Sequence, residues 1–365
     1  MRQEGVHYSM VKIHGGLGHQ THDRLFGLMF SKTVRPLVLL LFLAVIFGST
    51  AALASSFQYF RQGSKADSSS IPDAGTAMMG GGKDLDQAFR WLCKKANGGD
   101  FLILRAIGDD EYNSYVNGIC KLNSVATLVI PDTTAANDPA VTDIIRHAEA
   151  VFIAGGNQAR YVNFWRGTAV QEAINANIAG GRPIGGTSAG LAVLGQFSYG
   201  CLKDKEDDND LASQDVLPNP YHERVTLVRD FLKVPYLDNV ITDSHFAKRD
   251  RMGRTLGFLS RLVQDGWTKD PRDIAIDEKS AVLVEADGKA KVVGSGRGAY
   301  FLHLTSAPEV CKPNVPLTVR NISAYRAPTG AHFDLKAWTG DGGESYTLSV
   351  ENGVIHSTRQ GNAVY

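Results

Sequence analysis

The sequence predicts an α/β fold: a parallel sheet with helices on both faces, followed by an antiparallel β extension at the C-terminal end. Two patterns carry this expectation. From about residue 76 to 270, short apolar runs alternate with amphipathic stretches. Beyond residue 280, two tight-turn dipeptides each sit between short β-type runs.

Taken in order, residues 101–104, 125–130, 151–154 and 240–242 read as buried strands. Each is continuously apolar rather than alternating, as a strand covered on both faces should be. Helices are expected at 84–95, 138–149, 168–179 and 247–262, where apolar positions recur at helical spacing. Further on, 281–285 and 290–293 flank Asp287-Gly288, while 346–350 and 354–357 flank Asn352-Gly353. Both pairs are hairpin signals. The expected organisation is a leader at 1–54, a flexible linker at 55–75, an α/β catalytic domain at 76–279 and a β-rich extension at 280–365.

The leader has its own logic. Residues 1–35 carry five basic side chains against two acidic ones, and 36–54 are uncharged and mostly apolar. A basic flank before an apolar run directs the rest of a chain across a membrane. Ala52-Leu53-Ala54 is a small-x-small pattern, so cleavage near Ala54 is expected, with a retained anchor over 36–54 as the alternative. Any membrane association is therefore expected through this segment alone. In an oxidising compartment, Cys93, Cys120, Cys201 and Cys311 could form two disulfides in three connectivities, or remain buried thiols.

Composition excludes one class outright. With 38 basic and 38 acidic residues, the chain has no bulk positive field, so no nucleic-acid partner is expected. No metal or cofactor pattern stands up either: there is no C-x-x-C pair, and Gly80-Gly81-Gly82-Lys83 lacks the phosphate-loop spacing.

The chemistry concentrates at Gly186-Thr187-Ser188-Ala189-Gly190, a G-x-S-x-G between a short strand entry and a helix start. Small residues there allow a tight turn that lifts a serine hydroxyl clear of the backbone. The amide of Ala189 would then face a developing oxyanion. A close-packed strand-to-helix turn is the plainer explanation of the same glycines. A second cluster, Gly155-Gly156-Asn157-Gln158, also ends a predicted strand, where ligands collect in parallel sheets. A serine nucleophile needs a base, and His245 alone among the later histidines directly follows a buried-type strand. Next come Lys248, Arg249, Arg251 and Arg254 in one helix start, opposed to the helix dipole. A solvated charged face would explain them, but a carboxylate-bearing ligand would offset their cost.

At this point the chain resembles the cyanophycinase family, serine peptidases of the dipeptidase E type (peptidase family S51). The resemblance rests on GGGKDLDQAFRWLC (80–93), GGDFLILRAIGDDEYNSYV (98–116), AEAVFIAGGNQARYVNFW (148–165), GGTSAGLAVLGQF (185–197) and ITDSHFAKRDRMGR (241–254). It implies a class I glutamine-amidotransferase-like, flavodoxin-like fold, a metal-free Ser-His-acid triad, and cleavage of aspartyl peptides such as β-Asp-Arg units. Carried over residue by residue, it makes Ser188 the nucleophile and His245 the base. Gly156 or Asn157, with Ala189, would form the oxyanion hole. Gln158, Asp243, Arg249, Arg251 and Arg254 would bind substrate, with Asp243 taking a guanidinium. The acid is sought between serine and histidine, at Asp215 or alternatively Glu206. Asn157 and Ser244 depart from the family's residues, which bears on substrate identity more than on catalysis.

The expected partner is a peptide bearing aspartyl and arginyl groups, and the chain could also pair as a homodimer. Two other functions compete. An α/β-hydrolase esterase shares G-x-S-x-G, but His245 follows Ser188 by only 57 residues, leaving little room for later strands. A catalytically inactive, peptide-binding homologue would keep the cleft and lose the chemistry.

Overall fold

The computed structural model describes residues 56–205 and 210–365. The apolar run 36–54 and Glu206 lie outside the described residues. Among those described, no helix is long and apolar enough to cross a membrane.

One sheet is built around β1 (Gln58–Gly63), β2 (Gly75–Met79), β3 (Asp100–Arg105), β4 (Ser124–Val129), β5 (Ala150–Ile153) and β6 (Ile184–Thr187), ordered β1-β4-β3-β5-β6-β2. The strands from β4 to β2 are mutually parallel. Counted from β3, their order begins 2-1-3-4, the flavodoxin-like sequence, and β2 takes the fifth place. Alternate residues of each strand feed opposite faces. Phe101, Ile103, Val125 and Phe152 meet Phe89 and Leu92 of α1 (Asp86–Lys95) and Val116 of α2 (Glu111–Ile119). Leu102, Leu104, Leu128 and Ile153 pack on the other face, with α3 (Pro139–His147), α4 (Gln158–Trp165) and α5 (Ala169–Ala179).

Three elements differ from expectation. Residues 55–75, read as a linker, instead supply β1, which runs antiparallel along β4 and is tied down by Arg61 Nη2 to Asp100 at 3.0 Å. Its sequence, QYFRQG, has too little apolar alternation to announce a strand, but it covers the backbone edge of β4. Residues 75–79 give a weak strand signal for a similar reason: GTAMM has Thr76 as its one β-branched residue, yet it fills the slot beside β6.

The third difference concerns residues 240–243. Because β2 already lines β6, this strand enters a second sheet. That sheet contains β7 (Phe197–Tyr199), β8 (Leu227–Arg229), β9 (Val240–Asp243) and β10 (Arg272–Ile276). There β9 runs parallel to both β7 and β10.

The strands after residue 280 join both sheets. The Asp287-Gly288 hairpin extends the first through Ser280–Glu285, antiparallel to β2. Ala299–Leu304, Val315–Ala327 and the Asn352-Gly353 hairpin extend the second. The antiparallel C-terminal strands are thus present as expected, but they share two sheets with the earlier chain. A disulfide joins Cys93 on α1 to Cys120 at the end of α2, while Cys201 and Cys311 are free thiols.

Candidate active site

Ser188 sits on the turn between β6 and the short helix α6 (Ala189–Ala192), with φ 53° and ψ −114°. A non-glycine residue at such angles carries strain of about 1–3 kcal/mol, held by its surroundings. The surroundings are the flanking glycines. A Cβ on Gly186 would lie 2.5 Å from the Gly190 carbonyl carbon, so the turn closes only with glycine there. The Ser188 N–H donates to the Met79 carbonyl at 3.1 Å, locking the turn against β2.

His245, at the end of β9, also has a positive φ of 47°. Its N–H donates to the Gly80 carbonyl at 2.7 Å, which pins the histidine loop to the glycine run after β2. Its Nε2 lies 2.7 Å from Ser188 Oγ. Its Nδ1 lies 2.7 Å from Oε1 of Glu278. The three side chains therefore form one hydrogen-bonded chain from carboxylate to hydroxyl.

Glu278 was not among the sequence candidates, and Asp215 does not occupy the place expected of it. Asp215 lies in the single turn α7 (Ser213–Val216), where its Oδ2 accepts from the Ala212 N–H at 2.8 Å. That bond satisfies a free amide at the helix start and commits the carboxylate locally. The carboxylate bonded to His245 comes instead from beyond the histidine, because β10 runs parallel to β9 and delivers both strand ends to the same edge. The available signal was Ile276-Asp277-Glu278, two carboxylates directly after an apolar strand. Asp277 completes the junction by accepting from the Lys248 N–H at 2.9 Å.

The electrostatics suit a base. Burial lowers the His245 pKa, and Arg249 and Arg251 lower it further; the bond to Glu278 opposes them without reversing the direction. The imidazole is therefore neutral at neutral pH and can accept a proton. Glu278 stays ionised, held below the ordinary glutamate value by its bond with His245.

The substrate positions divide into two groups. Arg249, with 42% of its side chain exposed, lines the cleft, and its ion pairs among the described residues are long, 3.7 Å to Asp210 and 3.9 Å to Glu278. Gln158 also lines the cleft, its Nε2 donating to Cys201 Sγ at 2.8 Å. Asp243 and Arg254, by contrast, are enclosed. Arg254 Nε donates to Asp243 Oδ2 at 2.8 Å, its Nη2 reaches Oδ1, and Thr255 Oγ1 adds a bond at 3.2 Å. Asp243 therefore cannot take a substrate guanidinium as expected, because its oxygens are already occupied. Burial works against its charge, but Arg254 and Arg251 hold its carboxyl below the ordinary value.

Arg251 lies between the two groups. Its guanidinium is clamped by Asp210 at 2.6 and 2.8 Å and by the Ser244 carbonyl at 2.8 Å, with 7% of the side chain exposed.

The cleft of about 620 Å³ brings Ser188, His245, Ala189, Gly156, Asn157, Gln158 and Arg249 together. Asn157 also caps α4, its Oδ1 accepting from the Ala159 N–H at 2.8 Å. A Cβ built on Gly155 would stand 3.5 Å from Ser188 Cβ, so the second glycine cluster does lie against the serine.

Comparison with known proteins finds similarity over these residues. Residues 74–214 match the family model of peptidase family S51. A cyanophycinase of Trichormus variabilis is 30% identical over 190 residues, which cover 51% of this chain and 56% of that protein. The chain thus spans little more than half the length of that relative. A cyanophycinase of Geminocystis herdmanii is 27% identical over 271 residues, covering 70% of this chain and 89% of the other. A crystal structure of a peptidase from an acI-B1 Actinobacterium covers 62% of this chain and 89% of its own, with 16% identity and a TM-score of 0.43. The resemblance read from the sequence is thus matched by the family model over residues 74–214 and by these relatives.

Proposed function

We propose that this chain is a serine-type exopeptidase that cleaves aspartyl peptides carrying arginyl groups, of the β-Asp-Arg kind, through an acyl-enzyme. The observation that carries the reading is the hydrogen-bonded chain Ser188 Oγ–His245 Nε2, His245 Nδ1–Glu278 Oε1, each link 2.7 Å. Such a chain activates a hydroxyl that is otherwise a weak nucleophile.

In the first step His245 Nε2 takes the serine proton as Oγ attacks the scissile carbonyl carbon. The amide N–H groups of Gly156 and Ala189 receive the resulting oxyanion. The protonated imidazole, oriented and stabilised by Glu278, then donates to the departing amine as the C–N bond breaks. Water repeats the sequence on the acyl-serine: His245 takes its proton as its oxygen bonds to the acyl carbon, then returns that proton to Ser188 Oγ as the ester bond breaks and the carboxylic acid leaves. Arg249, exposed in the cleft, holds a substrate carboxylate. Asp243, Arg254 and Arg251 build the wall that carries the histidine loop.

The proposed setting is beyond a membrane, reached through the basic and apolar leader. The Cys93–Cys120 disulfide supports an oxidising compartment. The test is turnover of a β-Asp-Arg substrate by the full chain and by Ser188→Ala. The expected result is turnover lost in the variant with an unchanged far-UV spectrum and melting temperature. Equal turnover in both would overturn the reading, as would hydrolysis of simple esters alone.

A further inference from the structure

A second cavity, of about 470 Å³, adjoins the serine cleft at Gly156. Its walls are Asp84, Arg105, Glu111, Tyr112 and Tyr115, and Gly156 is common to it and the serine cleft. Its place in the fold is a specific one. The chain passes from β3 out to β4 and returns across β3 to β5, so the direction of winding reverses between β3 and β5. Arg105 ends β3, Glu111 to Tyr115 follow it, and Gly156 follows β5. In open parallel sheets the crevice at that reversal is where ligands bind.

The two cavities differ in which charges are free. In the serine cleft, Asp210 is clamped by Arg251, and Asp204 is held by Arg224 at 2.9 Å and by Tyr199 at 2.9 and 3.0 Å. In the second cavity, Asp84 is held by the neutral Tyr112 hydroxyl at 2.7 Å. Glu111 is 77% exposed and meets Arg105 only at 3.9 Å. Arg105 itself has long ion pairs, 3.7 Å being the shorter. Half-buried tyrosine rings, carboxylates with no close cation among the described residues and one cation make a wall suited to a group with a flat positive end and a separate negative one.

Resting on the activity proposed above, we infer that this cavity binds an arginyl group of the substrate one unit away from the bond cleaved. Asp84 and Glu111 take its guanidinium, the Tyr112 and Tyr115 rings flank it, and Arg105 takes its free α-carboxylate. This role replaces the one that Asp243, enclosed by Arg251 and Arg254, is unable to fill. The chain thereby reads arginine beside Ser188 on the β3–β5 side, with Arg249 reading a carboxylate on the other.

The experiment is equilibrium binding, by calorimetry, to the full chain carrying Ser188→Ala. The ligands are an Asp-Asp dipeptide with arginine amide-linked to both side-chain carboxyls, and its counterpart with uncharged citrulline at both places. The arginyl ligand should bind at least about tenfold more tightly, a usual effect of charge-assisted pairing. Asp84→Asn should collapse that ratio toward one, and Glu111→Gln should reduce it by about threefold. Because Asp84 is partly buried and its substitution can disturb the fold, Glu111→Gln, on the exposed rim, decides alone if Asp84→Asn melts early. No arginyl preference in the parent, or a preference untouched by both variants, overturns the inference. Turnover by the Ser188 chain is measured separately. Preference without turnover sinks the peptidase reading and keeps the site, turnover without preference does the reverse, and absence of both overturns both.

Discussion

The imidazole of His245 lies directly over Gly81: a Cβ built on that glycine would stand 2.5 Å from both Cε1 and Nε2 of the ring. Gly81 also has φ +90°, where side chains are strained. The glycine run after β2, which fails as a phosphate loop, thus has a different use. It leaves the space in which the His245 ring approaches Ser188.

Gly81→Ala is accordingly expected to push the ring off Ser188 Oγ. A displacement of about 1 Å at such a site costs roughly 10²-fold in rate. Steady-state kcat on a β-Asp-Arg substrate checks it. A variant that keeps kcat within about threefold would show that the ring has room to move.

Glu278→Gln should lower kcat by about 10²–10⁴, as loss of an orienting carboxylate does in serine hydrolases. Asp215→Asn should change kcat by less than about threefold, because its carboxylate caps α7 and does not touch His245. The paired comparison separates the two assignments of the acid. A larger loss in Asp215→Asn than in Glu278→Gln would reverse them.

The acid limb of the pH profile carries a sign. Since His245 must be neutral to act and its pKa is lowered from 6.5, kcat/KM should rise to its plateau with a midpoint below 6.5. Arg249 lowers that pKa and Glu278 raises it, so Arg249→Ala should move the midpoint up and Glu278→Gln should move it down. Profiles of the three proteins test this, and shifts in one common direction would contradict it.

Asp243→Asn should destabilise the fold rather than weaken substrate binding. It leaves Arg254 enclosed without its counter-charge, while Arg251 keeps Asp210, a loss of about 3–5 kcal/mol for a buried pair. The folded pKa of Asp243 lies below its ordinary value of 3.8, so its contribution is fully present above that value. It fades as pH falls through the folded value. Urea unfolding at neutral pH and at about pH 3 should therefore show the parent and variant converging in acid. A KM effect with unchanged stability would return Asp243 to the substrate.

Much of the fold was legible because continuous apolar runs leave few alternatives. Residues 101–104, 125–130 and 151–154 became β3, β4 and β5, and both turn dipeptides made their hairpins. Legibility failed where an element owes its state to a neighbour. β1 is a strand because β4 has an edge to cover, and β2 because β6 has one. The helix expected from residue 247 begins at Met252, because residues 245–251 are spent positioning His245 and Arg251.

The candidate site divides along the same line. Local spacing is enough to propose Ser188, since the flanking glycines leave room for its tight turn, and enough to mark Gly156 and His245 at strand ends. Charge alone marks the arginines after His245. What those arginines do, and which acid serves the histidine, depends on distances between residues far apart in the chain. Only the parallel pairing of β9 with β10 brings Glu278 to His245. Only burial separates Arg254, which neutralises Asp243, from Arg249, which stays open to the cleft. The reason is physical: backbone geometry and hydrophobic periodicity are local properties, whereas the partner of a charge is decided by which strands the sheet sets side by side.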